Sequence, residues 1–323
     1  LGTATATMSG DSVTYSVMLE EAALENTLAT SVSVFYGTDG ENWTELSLGS
    51  ASTAETFSGS ADSLGYGVTY QWFARASATM VGGRVLSTDS VTNSFTALYN
   101  GDMYVDAAAE NATPPYSSPA TAAPNIATAL AVATDGATIH VAPGLYRISS
   151  PMTLSKAIRI LGDDPDPSRV VVSNTVGANW QSGTQRIFTI NHPEAVVANL
   201  TMQKGSAWGD YTAGGNFQIN SAGGMVSNCL VEAGAQVSGH AGGGGGHLEA
   251  GIVTHTTFRR NTVVNSTQWG KNKAGVLHLK GSSRAENCLI VDNPQSAAAG
   301  LVKLEGTSLM RNCTIVNSTL SAT

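Results

Sequence analysis

Between residues 271 and 305 the chain gathers Lys271, Lys273, His278, Lys280, Arg284, Lys303 and Glu305. Amines and an imidazole grouped in this way suit one kind of chemistry. A neutral member can serve as a general base, and the charged members can neutralise an anionic group nearby. The same side chains also make an ordinary solvated face, with His278 beside Lys303 and Lys280 paired to Glu305 across neighbouring strands. A second group, His240, His247 and Glu249, carries the donor types that bind zinc or another transition metal. It brackets Gly242 to Gly246, five glycines that read as a flexible inserted loop. A third group is Trp180, Trp208 and Trp269, each just ahead of a strand whose outward residues are polar. Exposed indoles along one edge stack on sugar rings, and Gln218, Lys271 and Lys273 stand near enough in the repeat to share a ligand. The alternative is that each indole packs over its own loop. No cluster of aspartates accompanies these three groups in the sequence.

The elements that position these groups follow from composition and repeat. The 323 residues are 42% hydrophobic and only 12% charged, with 35 glycines. That balance is wrong for a helical bundle, which needs Glu, Lys and Leu. The formal net charge of −8 without a basic cluster excludes nucleic acid as a partner. Apolar runs stay short of the roughly 18 residues needed to cross a bilayer. An all-β protein remains. Residues 1–100 hold two basic and ten acidic residues, whereas residues 101–323 hold fourteen of each. The step indicates two modules, 1–98 and 99–323.

The first module reads as short alternating strands, at Val13 to Val17, Val32 to Tyr36 and Val68 to Ala74, with turn residues between them. Leu64 precedes Tyr70 by six residues, with Gly67 between. This resembles the tyrosine corner of fibronectin type III domains, which implies a β-sandwich with Leu64 and Tyr70 as structural residues. No catalytic constellation appears in this module.

The second module opens with a helical spacing over 125–133, with Asn125 as its N-cap and Gly136 as its stop. A repeat follows. Asn228-Cys229-Leu230-Val231, Asn261-Thr262-Val263-Val264, Asn287-Cys288-Leu289-Ile290 and Asn312-Cys313-Thr314-Ile315 share one pattern. Spacings of 25–33 residues without helical stretches mean a β-solenoid. Asn228, Asn261, Asn287 and Asn312 are expected in one corner column, because Asn tolerates a left-handed backbone. Cys229, Thr262, Cys288 and Cys313 should stack inward beside them as small hydrophobes. A second strand in each coil aligns Phe188/Ile190, Phe217/Ile219, Leu277/Leu279 and Val302/Leu304 inward, leaving Thr189, Gln218, His278 and Lys303 in an outward row.

The helix, the strand and turn at 139–146 and the Asn-Cys rungs together resemble the right-handed parallel β-helix of the pectin-lyase-like superfamily, in particular its bacterial surface-protein branch. The resemblance implies a secreted or cell-surface bacterial protein that engages polysaccharide and requires no cofactor. A carbohydrate-active enzyme, lyase or hydrolase, is the alternative, with Lys280, His278, Lys303 and Arg284 as its catalytic groups and Ca²⁺ joining a lyase site. A structural protein or adhesin is a third. Val316 is still a rung, so the last coil is expected to lack a cap and to self-associate or continue.

Overall fold

The structure, a computed structural model, describes residues 1–20, 27–51, 53–175, 184–208, 213–237, 242–264, 273–296, 299–318 and 320–321. It divides into two compact units, Leu1–Tyr99 and Asn100–Thr323.

In the first unit alternate residues turn inward, as a pleated strand requires. Ser12–Met18 buries Val13, Tyr15 and Val17 and pairs antiparallel with Ala4–Ser9 and Thr56–Ala61. A second antiparallel sheet runs through Thr44–Ala51, Thr27–Gly37, Thr69–Met80 and Val85–Asp89, with Asn93–Thr96 also paired to Thr69–Met80. Val32, Val34, Trp72 and Ala74 from this sheet join Tyr15 and Phe57 from the other in one core. Leu64 is buried at its edge. The Gly65 amide donates to the Tyr70 hydroxyl at 2.9 Å, so Tyr70 ties the chain back to the residue after Leu64.

The second unit opens with the strand Asp102–Val105, and a helix follows at Ile126–Val132, whose first turn is capped by Asn125 Oδ1 accepting from the Thr128 amide. The helix stops at Ala133 rather than at Gly136. Gly136 lies in the following turn with φ +93°.

From there the chain winds as a parallel β-solenoid. One coil shows the plan: Met225–Ser227, then Leu230–Glu232, then Ala235–Val237, then Gly246–Leu248. Each strand pairs in parallel with its counterpart one coil away, building an eight-stranded, a seven-stranded, a six-stranded and a small three-stranded sheet. Val197, Val226, Val253, Ala285 and Met310 are successive partners in the first of these. The inward pairs Phe188/Ile190, Phe217/Ile219, Leu277/Leu279 and Val302/Leu304 align as the repeat predicts. Gly246 belongs to the same inward row, opposite Phe217. A Cβ there would lie 2.3 Å from Phe217 Cζ, so the Phe217 ring occupies the space a side chain would need. Gly246–Leu248 is therefore a strand and not part of a flexible loop.

The corner before the seven-stranded sheet requires a left-handed residue. Asn199, Asn228, His255, Asn287 and Asn312 supply it, with φ between 49° and 60°. Asn228 Nδ2 donates to Asn199 Oδ1 at 2.9 Å, and Asn287 Nδ2 lies 3.3 Å from His255 Nε2. The expected column is thus corrected at one place: His255 stands where Asn261 was expected, and Thr256 replaces Thr262 in the inward series Cys229, Thr256, Cys288 and Cys313. Asn261-Thr262-Val263-Val264 imitates the rung motif six residues too late, while His255 hides the true corner.

Asn261 instead follows the next corner, where Lys204, Ala233, Arg260, Asp292 and Asn317 have positive φ. It is fully buried. Its Oδ1 accepts from the Gly234 amide, and its Nδ2 donates to Val231 O and Arg259 O. Asn293 repeats this one coil on, with Phe258 O and Val291 O. In the coils that carry Gly205 and Gly234 at this position, Asn216 reaches in from the facing strand and binds the Gly205 amide and Glu232 O. A Cβ on Gly234 would meet Asn216 Nδ2 at 2.4 Å, which is why glycine stands there.

Removing the Asn261 amide takes a partner from the buried Gly234 amide and from Val231 O, while Arg259 O keeps the Ala233 amide. Asn261→Ala is expected to lower unfolding free energy by about 2–4 kcal/mol, against about 1 kcal/mol or less for Asn287→Ala at the exposed corner. Urea denaturation of the two variants checks this order.

Candidate functional site

The outward face of the six-stranded sheet carries two parallel columns. Thr189, Gln218, His247, His278 and Lys303 are partners in register. Beside them run Asn191, Asn220, Glu249, Lys280 and Glu305. Their order is set by the amides of Asn220, Glu249, Lys280 and Glu305, which donate to Ile190 O, Ile219 O, Leu248 O and Leu279 O one coil back. His247 was not expected in this row. Its signal was the triplet Gly246-His247-Leu248, which matches Phe217-Gln218-Ile219 once glycine is accepted in an inward place.

The columns bind each other. Gln218 Nε2 donates to Asn220 Oδ1 and Asn220 Nδ2 to Asn191 Oδ1, both at 2.8 Å. His247 Nε2 lies 2.9 Å from Glu249 Oε1. Lys280 Nζ reaches Glu249 Oε2 at 2.8 Å. The pairing of Lys280 with Glu305 that the sequence suggested is therefore not formed. Lys280 lies between Glu249 and Glu305 in its column and turns to the former, while Glu305 is held by Lys303. His278 Nε2 stands 3.3 Å from Glu305 Oε2 without hydrogen-bond alignment, and among the described residues its ring nitrogens have no aligned hydrogen-bond partner. The two imidazoles meet edge to face, with centroids 4.7 Å apart.

Exposure separates the columns. His247 and His278 are 2% and 4% exposed, whereas Glu249 and Lys280 are 43% and 35% exposed at their side chains. Burial pushes the His247 imidazole below its ordinary range. Burial, with His247 and Lys303 adding to it, brings His278 down to about 4. Burial raises the Glu249 carboxyl, but Lys280 and His247 outweigh it and leave the group below the usual range. Lys303 lowers Glu305.

Below the first column lies Arg186, another residue that its neighbours in sequence did not mark. Its guanidinium donates to Gly214 O, Ala213 O and Thr189 Oγ1. Burial lowers it to about 10.

The remaining expected site residues are placed elsewhere or lie outside the described residues. Arg284 is on the eight-stranded sheet, 3.8 Å from Glu286, and does not join His278 and Lys303. Trp208 is 43% exposed and ends the strand Ser206–Trp208 of the three-stranded sheet. It sits on a strand, not on a turn, and its counterparts one and two coils on are Val237 and Val264. Trp180, Trp269, Lys271 and His240 lie outside the described residues. Lys273 starts the strand Lys273–Leu279. Among the described residues no group of three or more His, Cys, Asp and Glu side chains is arranged to hold a metal ion. The acids of the stripe are taken up by Lys280, Lys303 and His247. No described helix is long and apolar enough to cross a membrane.

No family model matches the sequence, and no curated protein matches it. Among solved structures, the pectate lyase PelI from Erwinia chrysanthemi aligns over 95% of this chain and 99% of its own, at 13% identity and a TM-score of 0.20. Overlap that low leaves the description of the fold resting on the strand pairings themselves.

A neutral buried histidine makes stability depend on pH with a definite sign. The unfolded imidazole binds a proton near 6.5, the folded His278 only near 4. His278 therefore costs nothing above about pH 6.5, and stability is lost as pH falls from there through about 4. The loss from this group is on the order of 3 kcal/mol. Urea titrations at descending pH should show it, and His278→Gln should flatten that part of the profile.

Proposed function

We propose that the chain is a polysaccharide-binding β-solenoid of the secreted or cell-surface kind, with the glycan lying along the exposed side chains of the polar columns on the six-stranded sheet. One observation carries this reading: the columns present amide, carboxylate and ammonium groups at the strand spacing of about 4.8 Å, with charges that cancel. Glu249 and Glu305 balance Lys280 and Lys303. A stripe of mixed donors and acceptors suits a ligand whose hydroxyls do both, and a neutral stripe does not concentrate a polyanion. The glycan favoured is therefore uncharged. Trp208 adds an exposed indole on which a sugar ring can stack.

Binding without cleavage is the reading that the pairing supports. Lys280 is engaged by Glu249, Lys303 by Glu305, and His278 is neutral but buried, so none is an accessible free base. The first unit we read as a fibronectin type III-like domain, on the Gly65–Tyr70 bond and the two antiparallel sheets. In this reading it acts as a spacer ahead of the solenoid, and the bacterial surface-protein branch is where the whole arrangement fits.

The test is a panel of soluble neutral and uronate polysaccharides, followed by calorimetry for binding and by ultraviolet absorbance for unsaturated products. A neutral glycan should bind without product. The double variant Gln218→Ala/Asn220→Ala should weaken it about tenfold, or about 1.4 kcal/mol, with little change in melting temperature. Absence of binding to every glycan, or product formation abolished by Lys280→Ala, would overturn the proposal.

A further inference from the structure

Cys288 and Cys313 occupy equivalent places in neighbouring coils, and both are free thiols. The ladder brings them together: the Thr314 amide donates to Cys288 O at 2.9 Å, and Leu289 pairs with Thr314 in register. In-register strands lie about 4.8 Å apart, inside the separation of about 4.4–6.8 Å between Cα atoms that a disulfide spans. The side chains lean the same way along the axis. Each sulfur sits near the carbonyl two residues before it, Glu286 O at 3.3 Å for Cys288 and Arg311 O at 3.2 Å for Cys313. The Cys313 sulfur also accepts from the Cys288 amide at 3.4 Å, the contact that Thr256 Oγ1 makes with the Cys229 amide. The Cys313 sulfur thus already rests on the backbone of Cys288 in the neighbouring coil. Cys229 cannot take part, because Thr256 intervenes and leaves it two coils, about 9.6 Å, from Cys288.

We propose that Cys288 and Cys313 are a redox-sensitive staple between two coils of the solenoid, closed by a small-molecule disulfide and opened by thiols. The half-buried Cys313 meets the oxidant first. Its thiolate attacks one sulfur of R–S–S–R, forming Cys313–S–S–R and releasing R–S⁻. The Cys288 thiolate then attacks the Cys313 sulfur and releases the second R–S⁻. Two electrons pass from the protein to the oxidant, and the protons leave with the released thiolates. Burial pushes the Cys288 thiol up to about 12, so below that value the second step quickens about tenfold for each unit by which pH is raised.

The test incubates the intact chain with oxidised glutathione at about pH 9, then counts free thiols after denaturation and maps the linked peptides by mass spectrometry. The proposal expects three thiols to fall to one, with Cys288 and Cys313 joined, and the closed form to melt several degrees higher. Cys229→Ser should go from two thiols to none, and Cys313→Ser should keep both of its thiols free of a protein–protein link. Three thiols persisting, a bridge to Cys229, a dimer through Cys313, or a mixed disulfide on Cys313 that fails to resolve would each overturn it.

Discussion

The parallel main-chain ladder between successive coils is the constraint on which the rest of this molecule depends. Among the described residues the solenoid strands lie about one strand spacing from their counterparts and in register, apart from a shift between Ala274 and Leu277. A position in the repeat is therefore a column in space. Whatever residue type the sequence places there meets its own kind, or its complement, one coil away. The corner column of Asn199, Asn228, His255, Asn287 and Asn312, the buried pair Asn261 and Asn293, the thiols and the polar stripe are four results of this one condition.

Columns are strict where they face inward and permissive where they face out. Inside, the amides of Asn216, Asn261 and Asn293 consume backbone groups that the corners leave unpaired, and buried polar groups must be satisfied. The exchange of Asn261 and Asn293 for Gly205 and Gly234 with Asn216 shows two solutions to the same demand. Phe217 and Gly246 make a similar trade in volume, one ring filling two places. Outside, the stripe on the six-stranded sheet mixes amides, acids, amines and imidazoles. Its members pair mainly within a coil or with the next one, which fixes their orientation before any ligand arrives.

Much of this was legible in the sequence, and the misses have physical causes. The inward pairs of the six-stranded sheet could be read because bulky residues alternate with polar ones. The corner at His255 could not, since imidazole is an uncommon occupant of a left-handed turn and Asn261-Thr262-Val263-Val264 offered a better-looking copy six residues on. The row containing His247 was hidden for a related reason: Gly246 makes an inward position look like loop. The Lys280 partner was ambiguous, because Glu249 and Glu305 flank it symmetrically in the column and only the side-chain geometry chooses. Arg186 lies outside the repeating triplet, and nothing in its neighbours marks it as buried.

In the proposed reading the polar stripe is the glycan site, because the ladder brings Gln218, Asn220, Glu249 and Lys280 to one face. A crystal structure of the chain with a bound neutral oligosaccharide tests that claim most directly. The account predicts sugar density along the six-stranded sheet, with hydroxyls within hydrogen-bond distance of Gln218, Asn220, Glu249 and Lys280. Sugar bound on another face, or an Asn261 side chain standing in the corner column in place of His255, would contradict it.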